Sequence, residues 1–212
     1  MKPSPHHFAA SAAALVGALL LSACASDAPP PRSVALQSLQ AMPAAAAMAP
    51  QAAGSSNSSS KASVVVDRVI LPDLIRRNHL LERIAAGEVH YRDVARWAEP
   101  LSEAVPRVLA DDLSALLGRS VTLSKLRPQP STSDPAWLLW LDVRSLEADG
   151  QGRVTLDAHW SWLREGKPEV RWQQGRFEAS ASSRDPERIA YAHSQVLQQL
   201  AQAMAAELAR QP

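Results

Sequence analysis

The 212-residue chain contains one cysteine, Cys24. It forms no internal disulfide and has no Cys-x-x-Cys pair for a structural zinc site. Its eight glycines include no phosphate-cradling glycine-rich loop, and no Gly-x-Ser-x-Gly elbow marks an acyl-transfer nucleophile. No His-x-x-x-His pair occurs, so His79, His90, His159 and His193 lack metal-ligand spacing and no metal site is expected. There is no run of five like charges, and the formal net charge is +1. That balance gives no electrostatic case for nucleic acid as a partner. No apolar stretch is long enough for a spanning helix.

The N-terminus does carry a pattern. Lys2 precedes Phe8–Leu21, fourteen uncharged residues rich in Ala and Leu. As a helix this stretch reaches about 21 Å, short of a bilayer core of about 30 Å. It fits the apolar region of an export signal, residues 1–23. Leu21-Ser22-Ala23-Cys24 resembles the bacterial lipobox at every position. The expected product is a cysteine carrying a diacylglycerol on its thiol and an acyl chain on its amino group, with no other cofactor. Several acyl chains hold a protein stably to a membrane where one does not. Ala25, rather than an aspartate, follows the cysteine, and by analogy with lipoprotein sorting this sends the protein to the outer membrane, facing the periplasm. Removing residues 1–23 takes away one lysine and no acid, leaving 21 basic and 21 acidic side chains.

Residues 24–62 are dominated by Ala, Ser, Pro and Gln, with Asp27, Arg32 and Lys61 as their only charges. Such a composition buries too little apolar surface to offset ordering, and it reads as a tether. The alternation in Ser33–Leu39 predicts one short strand within it, docked on the main domain. Residues 63–212 are expected to form a single domain with its own core.

In that domain Ser63–Leu71, rich in Val and Ile and closed by Pro72, reads as a buried strand. His79–Ile84 and Glu88–Val94 flank Ala85-Ala86-Gly87 as a hairpin. Leu101, Val105, Val108, Leu109, Leu113, Leu116 and Leu117 mark an amphipathic helix over Pro100–Leu117, ended by Gly118, with Pro106 starting or bending it. Ser120–Leu126 reads as a strand. Trp137–Glu147, Arg153–Leu163 and Glu169–Ala179 read as three antiparallel strands, the last requiring a bulge at Gln173–Gly175 to bring Val170 and Trp172 into phase with Phe177 and Ala179. Asp185-Pro186 opens a second helix striped by Ile189, His193, Val196, Leu197, Leu200, Met204 and Leu208. The expectation is an α/β fold of the α+β type: a largely antiparallel sheet with two long amphipathic helices on one face.

Little in this domain points to catalysis. Asp111-Asp112 is an acidic pair on a helix, one member of which faces solvent, and no catalytic residue is assigned. Trp137, Trp140, Trp160, Trp162 and Trp172 all fall in the three-strand region. They are read either as core packing or as an aromatic surface for lipid or a partner.

Arg96-Trp97-Ala98-Glu99-Pro100-Leu101 with Val108–Leu113, Val66–Pro72 with Leu74 and Arg76-Arg77, and Asp157-Ala158-His159-Trp160 together resemble the ABC-type transport auxiliary lipoproteins, the paraquat-inducible protein C group. The resemblance runs from Ser63 to the C-terminus and includes the lipobox. It implies a non-enzymatic docking component working with an MCE-domain protein that moves phospholipid between membranes, assembled as a homo-oligomeric ring and serving membrane integrity. Arg96, Trp97 and Glu99 are the candidate interaction residues, the alternative being a strand-to-helix junction held by a packed Trp and an ion pair. A lipid-binding module on the Trp-rich sheet and a lipid-anchored hydrolase are the competing functions.

Overall fold

The computed structural model describes residues 30–39, 62–126, 135–167 and 170–211. Cys24, Ala25, the export signal and much of the expected tether lie outside the described residues. Eight strands form one sheet: β1 (Arg32–Val34), β2 (Val64–Ile70), β3 (His79–Ala85), β4 (Glu88–Trp97), β5 (Val121–Leu123), β6 (Trp137–Asp149), β7 (Arg153–Arg164) and β8 (Gln173–Ser180). Two helices, α1 (Leu101–Leu117) and α2 (Pro186–Leu208), complete the expected α+β fold.

β6 organises the sheet. Along one edge it pairs with β7, antiparallel, for nearly its whole length. Along the other it pairs in parallel first with β2 and then, at Ala148 and Asp149, with β3. Pro72 cannot continue the β2 ladder, and Asp73–Ile75 forms a 3-10 turn that lets β3 resume the same edge of β6. β3 and β4 form the expected hairpin, β1 lies parallel outside β4, β5 lies parallel outside β2, and β8 lies antiparallel outside β7. The long ladders β3–β4, β6–β7 and β7–β8 are antiparallel; the additional pairings are parallel.

The strand alternation places the core. In β7, Val154, Leu156, Ala158, Trp160 and Trp162 are buried and meet the buried stripe of α2, from Ile189 to Leu208. In β6 the buried positions run Leu139, Leu141 and Val143, then shift phase to Leu146 and Ala148. A bulge between Val143 and Ser145 makes this possible, because one extra residue returns the apolar side chains to the same face. The bulge expected in β8 is absent. Gln173 to Ser180 pairs with β7 without a register shift, and Val170 and Trp172 precede the strand, exposed. Their change of phase therefore marks a strand boundary.

α1 packs over β2 and β5 and against α2, which covers β7, β8 and part of β1. Asp185 caps α2, its carboxylate accepting from the Glu187 N–H at 3.1 Å, with Pro186 at the first helical position. Pro106 lies inside α1, which already starts at Leu101, and Gly118 ends it with φ 61°. The expected strand at Ser120–Leu126 is shorter, since β5 gives way to a 3-10 turn at Ser124–Leu126.

Candidate functional site

The Arg-Trp-Ala-Glu-Pro-Leu block lies where β4 ends and α1 begins. Trp97 closes β4 and points inward, 5% exposed. Its ring meets His193 of α2 edge to face, with centroids 5.2 Å apart. The Trp97 N–H donates to the Asn78 carbonyl at 2.7 Å, and the next N–H, of Ala98, donates to the Val34 carbonyl at 2.8 Å. Glu99 is half-buried and pairs with Arg107 in the second turn of α1, while Arg96 is exposed beside Ser33 of β1. The three candidate interaction residues thus divide into a core aromatic, a junction ion pair and an exposed cation.

His193 lies on the apolar stripe and is enclosed. Its Nδ1 is 2.8 Å from the Ile189 carbonyl. A carbonyl only accepts, so this nitrogen carries the proton of the neutral ring. Burial pulls the imidazolium pKa down to about 4, only partly offset by that backbone carbonyl. The neutral, enclosed imidazole packs edge to face on Trp97 within the core.

The same junction buries one member of the Asp111-Asp112 pair beside polar groups that the sequence did not single out, Ser38 and Ser194. Asp112 is fully buried while Asp111 is exposed, and Asp112 accepts a hydrogen bond from Ser38 Oγ. The Gln37 N–H donates to Ser194 Oγ at 3.1 Å. Arg32 reaches the Asp185 cap with two contacts of 3.1 Å. The Glu187 N–H, and after it Arg32, holds the Asp185 carboxyl below its ordinary value. Residues 32–38 therefore bridge β4, α1 and α2, with Val34 and Leu36 as buried plugs. The usable signal was the alternation of Val34 and Leu36 in an otherwise polar and small-residue stretch. Glu82, 3% exposed, is a second such group, 3.4 Å from Arg92 and 3.5 Å from Arg184 at the start of α2.

The opposite, helix-free face of the sheet is polar. Arg83 holds Glu147 with two bonds of 2.6 and 2.8 Å. Arg176 bridges Asp157 and Glu178 at 3.3 and 3.1 Å, and Arg153 is 3.9 Å from Glu178. These groups line a shallow hollow of about 250 Å³ in which each cation has a carboxylate. His159 lies on this face beside a second open hollow, with Arg144 and Arg176. Among the described residues no group of three or more His, Cys, Asp or Glu side chains is placed to hold a metal, and no helix is long and apolar enough to cross a membrane.

The tryptophans divide by face. Trp160 Nε1–H donates to Glu207 at 2.7 Å and Trp162 Nε1–H to the Met204 carbonyl at 3.0 Å, tying the sheet to α2. Trp140 lies on the helix-free face, donates to Asp67 at 2.9 Å and is covered by the Arg68 guanidinium. Its cross-strand neighbour Ser161 is fully buried, although the alternation of β7 assigns it to the solvated face. Trp137 is half-buried under Arg164, and Trp172 stands exposed.

No curated protein sequence matches the chain. In fold it is similar to the crystal structure of an uncharacterized protein (TM-score 0.61, 19% identity), the alignment covering 69% of this chain and 92% of that one. It is also similar to protein XCC0632 from Xanthomonas campestris, of the DUF330 family (TM-score 0.54, 19% identity), covering 68% of this chain and 81% of that one. The family described as ABC-type transport auxiliary lipoprotein component matches residues 45–205. That match takes in the strand-to-helix junction, the whole of β6 to β8 and most of α2, and the chain belongs to this family of transport auxiliary lipoproteins.

Proposed function

We propose that the protein is a non-enzymatic docking piece, anchored by acylated Cys24 in the outer membrane, for an MCE-type lipid transport system. Membership of the auxiliary lipoprotein family carries this reading. The lipobox supports the anchor, and Ala25 supports the outer membrane as its destination. The charge-paired helix-free face and the enclosed, neutral His193 agree with a role in assembly rather than turnover. The ATPase and the permease belong to other chains in this reading, the MCE-domain protein is the direct partner, and several copies ring its outer end.

In-cell crosslinking followed by mass spectrometry tests the partner. Linked peptides from an MCE-domain protein are expected, and their absence under good coverage sinks the docking reading. Cys24→Ser tests the anchor. The fold should persist while complementation of a deletion strain is lost, and full complementation by the unlipidated chain contradicts the proposal.

A further inference from the structure

We propose that Arg32–Ser38 is a strap that fixes how far the fold stands from its lipid anchor. The leash is then the seven residues Ala25–Pro31, and the Ala/Ser-rich stretch 40–61 adds nothing to it. The inference rests on the acylation of Cys24 put forward above.

The strap is fastened along its length. Arg32 to Val34 pair with Ala95 to Trp97, Val34 and Leu36 are buried, and Gln37 and Ser38 bond to Ser194 of α2 and Asp112 of α1. A pull applied at Cys24 reaches β1 first. The chain returns to the fold just as firmly on the far side of 40–61. The Arg119 guanidinium donates to the Ala62 carbonyl at 2.6 Å, and the Trp137 N–H to the Ser63 carbonyl at 2.8 Å. Val64 then enters β2, flanked by β5 and β6. Residues 40–61 therefore begin and end on the fold, and their length is decoupled from the distance to the membrane.

The two possible leashes differ greatly in reach. From Cys24 to Arg32 is eight residue steps, at most about 29 Å whatever their conformation. From Cys24 to Ser63 is 39 steps, at most about 140 Å. Release of the strap would extend the reach nearly fivefold. A docked strap thus keeps the β1 edge of the sheet close to the membrane surface, and the fold presents to a partner whatever lies away from that edge.

The test uses the full acylated chain on phosphatidylethanolamine/phosphatidylglycerol vesicles. Acylation consumes the native thiol, so Gln151→Cys in the exposed β6–β7 turn supplies the site for a donor dye, with acceptor dye on the lipid. A twenty-residue Gly/Ser insert after Ala28 should lower energy transfer, while the same insert after Gly54 should leave it unchanged. With Leu36→Asp added, the insert after Gly54 should also lower it. Equal loss from both inserts, or loss from neither, overturns the strap; circular dichroism checks that Leu36→Asp remains folded. Intact mass separates the two readings. If Cys24 carries no acyl chain the anchor reading fails, and the strap is then read by hydrogen exchange. Amides of residues 33–37 as protected as that of Leu80 in β3 support it, and amides exchanging at unfolded rates overturn it.

Discussion

Burial of His193 should make the fold acid-sensitive well above the range in which exposed carboxylates titrate. The ring is enclosed between Trp97 and the body of α2, and burial holds its pKa at about 4 against about 6.5 when unfolded. Above pH 7 it is neutral in both states and contributes no pH dependence. As pH falls below about 6.5 the unfolded chain takes up a proton that the fold refuses, so stability is lost until pH approaches 4. The whole shift corresponds to about 3 kcal/mol, of which about 2 kcal/mol falls between pH 7 and pH 5. Urea denaturation of the chain lacking residues 1–24, at pH 7, 6 and 5, measures this directly. His193→Leu fills the same site without the titration, and its stability should fall by about 2 kcal/mol less over that range. The carboxylates common to both proteins cancel in the comparison. Equal pH slopes for the two, or an NMR titration placing His193 near 6.5, refutes the reasoning.

Trp160→Phe removes the donor that partly restrains Glu207, whose carboxyl burial already holds above its ordinary value; a carboxyl carbon titration should show it rising further. Gly175→Ala places a Cβ 2.8 Å from Phe177 Cζ and 3.2 Å from Trp160 Cη2, so the aromatic pair must shift and stability should fall by about 1–3 kcal/mol by denaturant titration. Arg83→Met breaks a two-bond but partly solvent-exposed pair with Glu147, and the loss should be about 1 kcal/mol or less, shrinking in high salt. A loss of several kcal/mol there would mean that the polar face carries part of the fold's stability.

The helices and the long antiparallel ladders were legible because their signals are local. Leu101 to Leu113 and Ile189 to Leu208 repeat at helical spacing, Val154 to Trp162 alternate, and Asp185-Pro186 is a cap written in two adjacent residues. The parallel pairings of β1 with β4 and of β2 with β6 join residues 63 and 72–73 positions apart, and nothing in either strand names its partner. Phase shifts are legible but ambiguous. In β6 the step from Val143 to Leu146 is a true bulge, whereas the similar step from Trp172 to Phe177 is only the entry into β8. Periodicity reports that phase is broken; whether the ladder continues across the break depends on the neighbouring strand.

The junction was legible as a motif and not as a geometry. Arg96 to Leu101 marked the right place, yet the buried partners of that place, Ser38, Asp112, His193 and Ser194, come from three other segments. The stripe of α2 places His193 inside and the Asp111-Asp112 pair leaves one member turned from water, but nothing local marks Ser38 or Ser194 for the interior. They go inside together because each hydroxyl or carboxylate meets a hydrogen-bonding partner there, and satisfied polar groups tolerate burial that lone ones do not. Such pairing also discriminates between registers. A slip of the strap by one residue would turn Val34 and Leu36 outward and bring Arg32 and Gln37 out of reach of Asp185 and Ser194. The polar contacts therefore fix where along the chain the strap docks, while its two apolar plugs supply the burial that keeps it docked. A segment that only needed to cover apolar surface could dock in several registers; one whose register is fixed by side chains of both helices is suited to setting a distance.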